Sequence, residues 1–93
     1  MTTTFKSIAK EDIAHLVFPT NDVLTDPQEI FQRKQDLEKA MAMGNTDQVK
    51  IEIFFEDDKE QLVTNTTVWA VTPEHLVLKK GVTIPVNRIY RII

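Results

Sequence analysis

Hydrophobic and polar positions change period along this chain, and the change marks its elements. Val49, Ile51, Ile53 and Phe55 alternate with Lys50, Glu52, Phe54 and Glu56, the period-2 pattern of a strand with one buried face. Asp57-Asp58-Lys59 follows as a turn. Residues 61–72 are rich in Thr and Val and carry Trp69. That run exceeds the usual strand length of about 5–6 residues, so it is expected to bend and serve two sheet layers. Strict alternation sets Trp69 and Val71 on one face and Val68 and Ala70 on the other. Thr72-Pro73-Glu74 is a turn, 75–79 a short strand, and Lys80-Gly81 a tight turn in which Gly can take positive φ. Val82, Ile84 and Val86 alternate again. The stretch 85–88 predicts a single 3₁₀ turn, and 89–93 a fifth strand.

Before residue 47 the period is helical. Asp26 can accept from the orphan amides of a helix start, Pro27 suits the first helical position, and Glu29 completes a capping box. Gly44-Asn45 reads as a left-handed stop. Between them Ile30, Leu37 and Met41 fall on one stripe, flanked by Phe31 and Ala40, so residues 27–43 predict one amphipathic helix. Lys34 lies inside that stripe and has to lay its stem on the core. Glu29 and Arg33 are spaced as an i,i+4 ion pair. Residues 5–24 are less regular: Ile8, Ile13, Leu16 and Val17 suggest one face of a short helix, and Phe18-Pro19 forces extended backbone.

One helix and five short strands joined by tight turns imply an α+β, mostly β fold: a five-stranded, strongly bent antiparallel barrel preceded by the helix. Closure removes the exposed edges of so small a sheet. The helix followed by five strands, with Lys79-Lys80-Gly81-Val82-Thr83-Ile84 and then 85–89 leading into the last strand, resembles the Sm-like branch of the SH3-like small barrels. Lys80-Gly81-Val82-Thr83-Ile84 resembles the second Sm motif, where a basic residue and Gly precede a hydrophobic strand. The overall register is also similar to the small bacterial Rho-binding antiterminator proteins. The resemblance covers about residues 26–93 and implies the barrel fold and a binding or regulatory role.

Composition narrows the chemistry. A chain of 93 residues, 42% apolar and 27% charged, suits one soluble globular domain, and residues 1–93 are read as such: a segment 1–24, a helix 25–44 and a barrel 47–93. No Cys is present, which removes disulfides, thiolate zinc sites and cysteine nucleophiles. Ser7 has no nucleophile-elbow context, and His15 and His75 lack any metal-ligand spacing. The acidic run 56–60 lacks the spacing of a calcium loop. The chain has two Gly residues and no Gly-rich phosphate loop. Catalytic, metal and cofactor sites are therefore not expected. Neither a targeting segment nor a membrane span is visible, and a cytoplasmic protein is expected.

What remains is surface. The net charge is −3, but it is uneven. Residues 1–45 carry five basic and seven acidic side chains, whereas 75–93 carry Lys79, Lys80, Arg88 and Arg91 and no acid. Phe54 and Trp69 fall on outward strand faces, where an aromatic either packs under the segment 5–18 or meets a partner. The partner-binding candidates are thus Phe54, Trp69, Lys79, Lys80, Arg88 and Arg91, as an aromatic and basic surface for a protein or RNA. The alternative is a structural protein whose barrel edge or helix self-associates into a homo-oligomer.

Overall fold

The computed structural model describes the backbone of residues 5–47 and 50–93, and the side chains of 5–42 and 50–93. Val49, expected on the buried face of the first long strand, lies outside the described residues. The fold is α+β and mostly sheet. In chain order the elements are β1 (Lys6–Ser7), α1 (Lys10–Ile13), α2 (Pro27–Asp47), β2 (Lys50–Glu56), β3 (Gln61–Val71), β4 (His75–Leu78), β5 (Thr83–Pro85) and β6 (Ile89–Ile92). Single 3₁₀ turns occupy Lys79–Gly81 and Val86–Arg88.

The sheet runs in the order β5-β4-β3-β2-β6, with every neighbouring pair on this path antiparallel. The two residues of β1 add a parallel strand, Lys6 against Leu62 and Ser7 against Val63, too short to leave an alternation signal. The long β3 pairs with β2 over its first part and with β4 over its last, so one strand serves two halves of the sheet as its length predicts. Closure does not follow. Among the described residues no ladder joins β5 to β6, and the sheet is open rather than a closed barrel. The connecting turn is held instead by Arg88, buried to 3% exposure. Its Nε donates to the Glu56 carbonyl and its Nη2 to the Asp57 carbonyl, each at 3.2 Å.

Ile51, Ile53 and Phe55 of β2 face Thr66, Thr64 and Leu62 of β3 on the inner side. Leu76, Leu78, Ile84 and Ile89 complete this core, all at 0% exposure. Each such side chain contributes about 1.5–3 kcal/mol when fully buried. Onto it α2 lays Leu37 and Ala40, and α1 lays Ile13. Ile8, Leu16 and Phe18 also pack against the core, while Val17 is exposed.

The helix begins as its cap predicts, with the Gln28 amide donating to Asp26 Oδ1 at 2.9 Å. Its end does not. The helix continues through Gly44-Asn45 to Asp47, and β2 begins at Lys50. A Gly inside a helix costs about 1 kcal/mol, too little to stop one by itself. The buried face also differs from the apolar stripe: Arg33 is buried at 5%, while Phe31 is 60% exposed and Lys34 is exposed. Arg33 does not pair with Glu29. Its Nη1 and Nη2 donate to the two carboxylate oxygens of Asp22, both at 2.8 Å, and Nη1 also reaches the Ile89 carbonyl at 3.0 Å. One guanidinium thus ties the helix, the last strand and the segment before the helix together.

Candidate binding surface

Trp69 owes its position to a bulge. Val68 pairs with Leu78, but Ala70 pairs with Val77 and Val71 with Leu76, so β3 carries one residue more than β4 at Trp69. The extra residue reverses the expected phase. Val71 turns to the core side and packs against it, and Trp69 stays outside at 50% exposure. Two residues before it on the outward face lies Thr67, whose β2 neighbour is the exposed Lys50.

Beyond β4 the chain reverses through Lys79–Gly81, closed by the Leu78 amide donating to the Val82 carbonyl at 2.6 Å. Gly81 has φ +81 as expected, and Lys80 has φ +70 as well. A left-handed Lys carries a steric cost that Gly does not. Lys79 and Lys80 are both exposed. The charge of Lys80 reaches Glu11, whose carboxyl is held below the usual carboxylate range. The causes are its hydrogen bond from Lys10, its own backbone amide, and then the charges of Lys10 and Lys80.

The other candidates lie elsewhere. Phe54 pairs with Arg91 across β2 and β6, and the Arg91 guanidinium carbon sits 5.0 Å from the Phe54 ring centre, a cation–π contact. Phe5 closes over the same spot. Its ring meets Phe54 at 5.1 Å and Tyr90 at 5.7 Å, both edge to face. Phe54 is therefore covered by the chain's own N-terminal segment, one of the two outcomes its outward position allowed.

Arg88 is removed from the basic surface. Besides its carbonyl contacts, Nη1 donates to the Asn21 carbonyl at 2.9 Å, and Nη2 lies 3.2 Å from Glu56 Oε2. Glu56 also accepts from the Tyr90 hydroxyl. Burial, then that neighbouring carboxylate, pushes the Tyr90 phenol above its ordinary value of 10.0. These buried polar partners escape sequence reasoning because they join residues far apart in the chain. Arg33 did leave one signal: with Leu37 and Ala40 it follows i, i+4, i+7 spacing on the core face.

The surface therefore divides into one part with Trp69, Lys79 and Lys80 exposed, and another in which Phe54 is covered by Phe5 while Arg91, over its ring, stays exposed. The acidic turn is committed to its own backbone, since Asp57 Oδ1 accepts from the Lys59 and Glu60 amides at 2.9 and 2.7 Å. Among the described residues no group of three His, Asp or Glu side chains is placed to hold a metal ion, and no helix is long and apolar enough to cross a membrane. No protein-family model, curated protein or solved structure matches the chain.

Proposed function

We propose that this protein is a non-enzymatic binding module acting in the cytoplasm, and that it recognises an acidic protein surface through Trp69, Lys79 and Lys80. The observation that carries this reading is the half-exposed Trp69 on an outward strand face, beside a lysine turn. A large exposed aromatic with basic residues at the neighbouring turn suits a protein-binding hot spot. The resemblance to Sm-like and SH3-like small barrels belongs to the same proposal. It is supported by the strand path β6-β2-β3-β4-β5, by the shared bent strand, and by the 3₁₀ turn before the last strand.

A protein partner is favoured over RNA by the charge that remains available. With Arg88 buried and the exposed Arg91 placed over Phe54 at the β2–β6 pair, the cations at the turn next to the Trp69 end of β3 are Lys79 and Lys80. Nonspecific RNA affinity grows with the number of phosphates neutralised, and two contacts supply little. The test is capture from extract on the immobilised protein, with and without ribonuclease, beside the variant W69A/K79A/K80A. The reading expects bands that survive ribonuclease and disappear with the variant. Bands lost on ribonuclease treatment identify an RNA ligand instead, and bands retained by the variant refute the surface.

A further inference from the structure

We infer that the exposed side of α2 is a self-complementary surface that pairs with α2 of a second copy, antiparallel about a two-fold axis. This inference stands independently of the Trp69 surface, which lies on the outward side of the sheet while α2 covers the core side. Two observations carry it: an apolar groove flanked by an exposed aromatic, and a charge pair that matches its own inverse.

Along α2, residues 30, 31, 34, 38, 41 and 42 recur at three- and four-residue spacing and share one side of the helix. Phe31 is 60% exposed, and Ile30 and Met41 are half-buried. A groove of about 690 Å³ runs between this side and the sheet, with Ile30, Met41, Val71 and Pro73 among its walls. At the middle of the stripe stand Lys34 and Glu38, both exposed. Neither forms an ion pair with another described residue. Within the helix they are in the weaker order, the cation N-terminal to the acid.

Antiparallel pairing about a point between them resolves the stripe. Lys34 meets Glu38 of the second copy, and Glu38 meets its Lys34. On one flank Ile30 lies against Met41 of the second copy, and on the other the bulky Phe31 lies against the small Ala42. Every contact occurs twice, as an isologous interface requires. A heterologous partner has no need of a charge pattern that inverts onto itself.

The experiment measures molar mass by light scattering and sedimentation from about 1 μM to about 1 mM, the range that spans weak to moderate dimers. The wild type is expected to rise from 10.7 kDa toward twice that mass. K34E and E38K each set like charges against each other at both ends of the interface and are expected to weaken dimerisation at least about tenfold, the effect of two lost or reversed pairs. Mixing K34E with E38K restores opposite charges at both contacts, so an equimolar mixture is expected to regain the dimer that each variant lacks alone. Circular dichroism checks that these exposed substitutions leave the fold intact. A wild type that stays monomeric to the highest concentration overturns the proposal and leaves the face to a different protein. Single variants that dimerise like the wild type, or a mixture that gains nothing, also overturn it.

Discussion

Replacing Asp22 with Asn tests whether the segment before α2 is held by charge or by shape. In the native protein Asp22 accepts two hydrogen bonds from the Arg33 guanidinium at 2.8 Å and one from the Leu24 amide at 2.8 Å. Arg33 is 5% exposed and Asp22 31%. Asn is nearly isosteric, but it offers one acceptor oxygen and no charge. A hydrogen bond to an ionised group contributes about 1.5–3 kcal/mol and a neutral one about 0.5–1.5 kcal/mol. Losing one Arg33 bond and weakening the two bonds that remain therefore costs about 2–3 kcal/mol after allowing for the partial exposure of Asp22. With an m-value near 1 kcal/mol/M for so small a domain, the urea midpoint falls by roughly 2–3 M at neutral pH.

The same substitution carries a pH signature. The hydrogen bond from Arg33, aided by the Leu24 amide and the Arg33 charge, holds the Asp22 carboxyl below its ordinary value of 3.8. A depressed carboxyl contributes stability that is fully present above the unfolded value and lost as pH falls through the folded one. The gap between wild type and D22N is thus widest near neutrality and narrows as the pH drops below 3.8 through the lowered folded value. Equal gaps at both ends of that range would show that the contact works by shape alone. A gap below about 0.5 kcal/mol at neutral pH would show that Arg33 finds equivalent partners without the charge.

Three further outcomes follow from single contacts. R88A is expected to cost about 3–5 kcal/mol by chemical denaturation, because it strips the cation from Glu56 and leaves the Glu56, Asp57 and Asn21 carbonyls without that donor; R91A, at an exposed cation–π contact, costs at most about 1 kcal/mol, and equal costs would contradict the burial difference. K80G is expected to raise the thermal midpoint by relieving the left-handed Lys, a gain of about 0.5–1 kcal/mol after the added chain entropy of Gly; a lowered midpoint would show that the turn is unstrained. The Tyr90 phenol, raised above 10.0 by burial and then by Glu56, stabilises the fold below that value and ceases to do so as pH rises through its folded value. Y90F should be less sensitive to alkali over that window, and identical alkaline denaturation profiles would remove Tyr90 from the account.

The strands and the start of the helix were legible because their signals are local. Alternation from Ile51 to Phe55 reports a buried face directly, and Asp26-Pro27 reports a cap within one turn. The end of the helix was not legible, because Gly44 weakens a helix without forbidding it. The phase of β3 beyond Val68 was lost to a bulge, which adds one residue and leaves no composition mark. The aromatics divided in the same way. Trp69 stays open as its outward position allowed, while Phe54 lies under Phe5, a contact between residues 49 positions apart in the sequence.

The arginines show why charge read along a sequence overstates a binding surface. Arg33 and Arg88 look like solvent-facing cations, one on a helix and one in a basic C-terminal run. Both are instead buried polar anchors that tie the segment around residues 20–24 to the helix and to the turn before β6. A small sheet that does not close by hydrogen bonding still has carbonyls to satisfy at its open end. Guanidinium groups meet that need with several donors in a fixed fork. The exposed basic residues at the turn that follows β4 are then Lys79 and Lys80. Their nearness to Trp69 follows from the β3–β4 pairing rather than from sequence clustering. The surface that remains is smaller than the charge pattern implied, and it is centred on the tryptophan.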